Sequence, residues 1–243
     1  MSRVICKSFY LTLIIILLLP MPAFTMPTIT CHCFTNRSYD PASPAAADQY
    51  FLATTQNSFF ALAFNTDKKF IVIKKQQGTS PDDLWIAYWI AFKSGTSPET
   101  LLQAKRENET WKSVLAPMRL TTKTLGSRFS SALNTKLSAV NLAEAVVDEL
   151  LVRYQLLGEV ELAAMRQLGA SSQELILAAV IAKKKDRPAK QIYLEVKNRA
   201  KTWGFLLKGA KIDTKNMQRE ISGLLKLHPT PMPISEPIPV QPH

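Results

Sequence analysis

The stretch Ser80–Leu102, "SPDDLWIAYWIAFKSGTSPETLL", decides the fold. Ser80-Pro81-Asp82-Asp83 reads as a helix start: an N-cap serine, proline at the first helical position, and two acids where the helix dipole favours negative charge. The run from Leu84 to Phe92 is apolar nearly all round, as in a helix at the centre of a core. Ser97-Pro98-Glu99 repeats the start signal and opens "ETLLQAKR". A short piece around Trp111, "ETWKSVLAPM", closes the unit at Pro117.

The pattern recurs 91 residues later, without a gap, in "SSQELILAAVIAKKKDRPAKQIY" from Ser171. Ser80 matches Ser171, Asp83 matches Glu174 and Leu84 matches Leu175. Ile86, Ala87, Ile90 and Ala91 match Leu177, Ala178, Ile181 and Ala182, and Leu101 meets Ile192. After one inserted residue, Trp111 aligns with Trp203, Val114-Leu115 with Leu206-Leu207, and Leu120 with Ile212. Caps, small residues and the tryptophan all recur, which is the mark of an internal repeat: one helical-hairpin unit used twice.

The segments "IAFKSGTSPETLLQAKRENETWKSVLAPMRL" and "IAKKKDRPAKQIYLEVKNRAKTWGFLLKGAKI" resemble a Trp-containing helical hairpin found, often in tandem, in exported bacterial proteins with no assigned activity. The second segment keeps Trp203-Gly204, whereas the first has Trp111-Lys112. The resemblance implies a fold and a compartment and brings no catalytic residues.

The rest of the body extends the helical reading. Ser43-Pro44 predicts a helix start, and Tyr50, Ala53, Thr54, Asn57, Phe60, Ala61 and Phe64 follow at three- and four-residue steps along one side. "DKKFIVIKKQQG" reads as a helix closed by Gly78, with a short buried strand as the alternative. "KLSAVNLAEAVVDELLVRYQLLG", residues 136–158, reads as one long amphipathic helix ended by glycine, and "EVELAAMRQLG" as another. The fold class is therefore an all-α helical bundle with two related hairpin units, in regions 44–120 and 121–227. From His228 a proline falls every two to four residues, which predicts a disordered, polyproline-like tail over 228–243.

The N-terminus reads as an address. Arg3 and Lys7 precede an apolar run from Phe9 to Leu19, which Pro20 and Pro22 break before Ala23-Phe24-Thr25. That order is a secretory signal, residues 1–25, with cleavage after Thr25 or Ala23 and an uncleaved anchor as the alternative. A periplasmic or secreted protein of the bacterial envelope is expected. Cleavage would leave a basic mature chain of charge +9 and remove Cys6, so Cys31 and Cys33 of the arm 26–43 would be the remaining cysteines. Cys31-His32-Cys33 departs from the haem pattern and from the redox Cys-x-x-Cys. In an oxidising compartment a disulfide is favoured over an unpaired state and over a soft-metal or redox role.

Little else suggests chemistry. The histidines are His32, His228 and His243, and no Gly-x-Ser-x-Gly, His-Glu-x-x-His or phosphate-cradling loop is present, so neither an enzyme nor a bound cofactor is expected. Glu144 and Asp148, one turn apart, offer a cation site, against which stands a solvated face. Trp85, Trp89, Trp111 and Trp203 suggest a ligand groove, against which stands core packing. The balance of 30 basic to 19 acidic residues gives +11. These charges are not gathered into one block, so a solubilising surface is the ordinary reading. The densest cluster, Lys183, Lys184, Lys185, Arg187 and Lys190, is the candidate contact for a polyanion. The expected activity is non-enzymatic binding or scaffolding, with an envelope protein or an anionic surface, including a peripheral membrane contact, as partner. A metal or redox accessory role of the cysteine triplet is the alternative. "SPETLLQAKRENETWKSVLAPMRL" also has the outline of a helix-turn-helix, but an exported chain does not meet the chromosome, so nucleic acid is disfavoured.

Overall fold

Ser80 and Ser171 both cap helices in the computed structural model, which describes residues 34–135 and 138–225. The helices are α1 (Asp48–Ala63), α2 (Lys68–Gln76), α3 (Pro81–Ser94), α4 (Pro98–Glu107), α5 (Trp111–Leu115), α6 (Thr122–Leu125) and α7 (Ser127–Asn134). They continue as α8 (Ala139–Arg153), α9 (Glu159–Gln167), α10 (Ser172–Lys185), α11 (Ala189–Lys197), α12 (Trp203–Gly209) and α13 (Met217–Leu225). Short 3-10 turns, Ala116–Met118 and Thr214–Asn216, follow α5 and α12. Among the described residues there is no strand, and the protein is an all-α bundle. The candidate signal, the Cys31-His32-Cys33 triplet and the proline-rich stretch from His228 lie outside the described residues.

The two capped hairpins share their local geometry. Helix α10 begins and ends 91 residues after α3, α11 begins 91 after α4, and α12 begins 92 after α5. Ser80 Oγ accepts from the Asp83 N–H, and Ser171 Oγ accepts from the Glu174 N–H while Glu174 reaches back to the Ser171 N–H, a full capping box. Both long helices stop on a left-handed residue, Gly95 at φ 76° and Asp186 at φ 50°. The N–H of each bonds to a matched alanine carbonyl, Ala91 or Ala182. Thr110 and Thr202 cap the Trp-led helices through their hydroxyls.

Three helices fill the centre. Leu84 to Ala91 of α3 and Leu175 to Ala182 of α10 are buried without interruption, as the apolar run of α3 predicts. The third, α1, differs from its reading. Its buried residues run without a break from Phe51 to Ala61, on all sides and not on one stripe, because α2, α10, α12 and α13 all pack around it. It also starts at Asp48: Ser43-Pro44 lies in a series of turns, with Ala46 N bonded to Ser43 O and Asp48 N to Ala45 O. Phe59 and Phe60 of α1, and Phe64 just past its end, meet Trp85 and Tyr88 of α3 edge-on or tilted, Phe60 at 4.5 Å from Trp85 and 5.0 Å from Tyr88. Each such pair adds about 0.5–1.5 kcal/mol beyond its buried area. One apolar core joins both hairpin units.

The helix read over residues 136–158 ends early. Helix α8 stops at Arg153, because Gln155 adopts φ 52° and the Leu156 N–H folds back to the Leu151 carbonyl. Gly158 is then the N-cap of α9 and not the end of α8. "DKKFIVIKKQQG" is helix α2, capped by Asp67, whose carboxylate accepts from the Lys69 N–H at 2.7 Å.

The second hairpin docks on the N-terminal segment in a way the first does not. Asp48, the first residue of α1, accepts from the backbone N–H groups of Trp203 and Gly204 at 3.1 and 2.9 Å. Together with Thr202, it satisfies the first three donors of α12, which otherwise lack partners. Gly204 is required by this contact: a Cβ there would lie 2.6 Å from Tyr39 Cδ2 and 3.0 Å from Phe51 Cε2. At the matching place the first unit carries exposed Lys112, so the missing glycine of Trp111-Lys112 has a physical reason.

Candidate functional site

The candidate polyanion residues gather where α10 ends and α11 begins. Lys183, Lys184 and Lys185 occupy the last turn of α10, where cations suit the exposed carbonyls. Asp186 turns the chain, and Arg187 and Lys190 flank the start of α11. The turn borders an open cleft of about 390 Å³ lined by Gly158, Glu161, Lys183, Asp186 and Arg187.

Not all five cations face solvent unpaired. Lys184 Nζ pairs with Glu220 of α13 at 3.0 Å, and Arg187 Nη2 pairs with Glu195 of α11 at 2.7 Å. Glu195 also takes Lys201 at 3.2 Å. The Arg187 hydrogen bond, chiefly, holds the Glu195 carboxyl below its ordinary range. Lys185 Nζ donates to the Gly209 carbonyl at 3.4 Å, which places the ends of α10 and α12 side by side. Lys183 and Lys190 have no carboxylate at ion-pair distance among the described residues; only the backbone N–H of Lys190 is engaged, by Glu161.

The sequence reading missed how far this basic charge extends along the chain. Residues 34–182 carry 15 basic and 14 acidic groups, whereas residues 183–220 carry 12 basic and four acidic. The surplus is gathered after all, at α10's end and through α11, α12 and α13. A running count of charge along the chain carries that signal, and total composition hides it. Lys197, Arg199, Lys201, Lys208, Lys211 and Lys215 belong to this stretch. Phe205 stands among them at 48% exposure, with the Lys201 ammonium 5.8 Å from its ring centre. Lys208 lies over the Tyr39 ring at 5.5 Å.

The other candidates are absorbed by the fold. Glu144 and Asp148 receive their cation from the chain itself: Arg166 bonds Asp148 through Nη2 at 2.7 Å and Nε at 3.1 Å, and Glu144 through Nη1 at 3.3 Å. The remaining Arg166 protons go to the Ala170 carbonyl and the Ser172 hydroxyl. All four tryptophans are buried. Trp89 Nε1 donates to the Leu125 carbonyl, and Trp111 Nε1 donates to Asp83 Oδ1 at 2.7 Å, so the capping acid also anchors the next helix but one. The helix-turn-helix outline becomes α4 and a five-residue α5 whose Trp111, Val114 and Leu115 are buried in the core. Asp82, desolvated beside Asp83 and Glu144, has its carboxyl pushed above the ordinary value, with Lys75 opposing. Among the described residues no group of three or more His, Cys, Asp or Glu is placed to hold a metal ion. Among them, too, no helix is long and apolar enough to cross a membrane.

No family model, no curated protein and no solved structure matches this chain.

Proposed function

We propose that the chain is an exported, non-enzymatic helical binding protein of the bacterial envelope, which works as a scaffold by holding an anionic polymer or surface against its basic end. The observation that carries this reading is the charge surplus of residues 183–220, where three of the four acids are already paired within the fold: Glu195, Asp213 and Glu220. Further anions must come from outside. The N-terminal segment 1–25 supports export, and the tandem Trp-led hairpins support likeness to exported bacterial proteins of that kind. Duplication of one hairpin unit is part of the reading. It is supported by helix bounds 91 and 92 residues apart and by the matched serine and threonine caps.

The test is titration of the full mature chain with a labelled linear polyphosphate across a salt series. Binding that weakens steeply with salt is expected, since screening at about 0.15 M ionic strength acts over about 8 Å. The variant Lys183→Glu/Lys185→Glu/Lys190→Glu leaves the Lys184 and Arg187 pairs intact and should bind at least about tenfold more weakly, a difference of about 1.4 kcal/mol. Equal binding by this variant would remove the assignment. Recovery of the native protein in the cytoplasm, with Met1 intact, would remove the envelope.

A further inference from the structure

Helix α2 carries four lysines and uses them in two ways. Lys68 Nζ donates to Thr54 Oγ1 at 2.7 Å and Lys75 Nζ donates to Asn57 Oδ1 at 2.6 Å, so these two face inward onto buried polar groups of α1. Ile71 and Val72 complete the inward side. Helical spacing then sends Lys69, Phe70, Ile73 and Lys74 outward as one arc, with the two apolar residues at its centre and a lysine at each edge. Phe70 and Ile73 are each 37% exposed. Among the described residues the other large exposed apolar side chains, Val140, Val160 and Phe205, stand singly on separate helices, so α2 carries the paired apolar patch there. The Lys74 ammonium lies 5.0 Å from the Phe70 ring centre, which puts cation and ring in the same patch. No acid occurs between Lys68 and Pro81, and the Asp67 carboxylate is taken up as the helix cap.

We propose that this outer face of α2 seats on an anionic lipid bilayer, with Phe70 and Ile73 at the level of the acyl boundary and Lys69 and Lys74 among the headgroups. The arrangement is that of an interfacial helix, apolar in the middle and basic at the rims. Lipid is favoured over a protein occupant by size and shape. A stable protein interface needs roughly 800 Å² from each partner, far more than two side chains about a third exposed on a nine-residue helix supply. A bilayer needs no matching groove, and its anionic headgroups complement the rim lysines. This inference rests on α2 alone, independently of the basic end formed by residues 183–220.

The experiment is sedimentation of the full mature chain with vesicles of phosphatidylcholine, alone or mixed with phosphatidylglycerol. Partitioning at least about tenfold stronger onto the mixed vesicles is expected, and it should weaken as salt rises. Phe70→Ser/Ile73→Ser should lower that partitioning about fivefold or more. Lys69→Glu/Lys74→Glu, which alters one exposed and one half-buried lysine, should lower the preference for anionic vesicles. In the Lys183→Glu/Lys185→Glu/Lys190→Glu background, Phe70→Ser/Ile73→Ser should still lower vesicle partitioning about fivefold or more, which separates this result from the fate of the polymer reading. A Phe70→Trp chain should show an emission blue shift on adding mixed vesicles, a direct reading of contact that needs no destabilised variant. Absence of binding to mixed vesicles, or binding that both α2 double variants retain, overturns the proposal. So does a dimer in sedimentation velocity that Phe70→Ser/Ile73→Ser converts to a monomer.

Discussion

Replacing Gly204 by alanine sets two known effects against each other at one position. Gly204 is the second residue of α12, and glycine inside a helix costs up to about 1 kcal/mol relative to alanine, so the helix alone would gain. Against this, the new Cβ falls 2.6 Å from Tyr39 Cδ2, 3.0 Å from Phe51 Cε2 and 3.4 Å from the Pro44 carbonyl oxygen. Tyr39 is half-buried and can swing, but Phe51 is fully buried and has nowhere to retreat. Overpacking of this kind costs about 1–3 kcal/mol, and separation of α12 from Asp48 would add to it. The net expectation is a loss of about 1–2 kcal/mol, which lowers the melting temperature by about 2–8 °C for a domain of this size. Gly209 is the internal control. It lies in the same helix, and a Cβ there meets nothing within 4 Å. Gly209→Ala should therefore raise stability by about 0.5–1 kcal/mol. Urea unfolding followed by tryptophan fluorescence reads both. A Tyr39→Ala background should shrink the cost of Gly204→Ala, a coupling that a double-mutant cycle isolates. If Gly204→Ala were as stabilising as Gly209→Ala, the docking of the N-terminal segment on α12 would not be tight and the account of Trp203-Gly204 would fail.

Three further outcomes are expected. Arg166→Met strands the Asp148 and Glu144 carboxylates, with Asp148 only 15% exposed, and should cost about 2–4 kcal/mol in urea unfolding; Asp148→Asn in the same chain should return part of it. Trp111→Phe removes the 2.7 Å bond to Asp83 and should cost about 1.5–3 kcal/mol, with no effect if that bond does not anchor α5. Asp82→Asn should alter the pH dependence of stability. Burial first, then Asp83 and Glu144, raise the Asp82 carboxyl above 3.8, so protonated Asp82 contributes stability below that pH, and this contribution is lost as pH rises through the raised value. The variant should gain on the native chain as pH rises from about 4 to 7, and parallel stability curves would refute the assigned environment.

The legible parts of the fold are those coded by neighbours in sequence. Ser80, Ser97 and Ser171 announce helix starts because an N-cap needs only a hydroxyl and the next three backbone groups, and all three cap as read. The unbroken apolar run of α3 likewise announces burial on every side. Helix α1 was less readable. Its buried Gln56 and Ser58 lie off the stripe that the spacing marks out, and the fold brings Gln173 to Gln56, as it brings Lys68 to Thr54 and Lys75 to Asn57. The stop at Gln155 was hidden because a left-handed residue other than glycine carries no clear signature. In the candidate site, local density of lysine picked out Lys183 to Lys190. The pairing of Lys184 with Glu220 and of Arg187 with Glu195 needed the fold, as did Arg166 closing the gap between Glu144 and Asp148.

The position of α1 in the bundle has a consequence for how the chain reaches its native state. This helix leaves the ribosome well before α10, α12 and α13, the elements that cover it. Asp48 meets its partners Trp203 and Gly204 across more than 150 positions of sequence. The rings of Phe51, Phe59, Phe60 and Phe64 therefore stay without their full cover until α13 is made, so completion of the core waits on synthesis and cannot proceed helix by helix. Such long-range closure slows folding and lengthens the time that an apolar helix is open to wrong partners. A chain truncated before Ser172 would lack the cover permanently. It should accumulate as an aggregation-prone intermediate, even though it still contains a complete capped hairpin of its own.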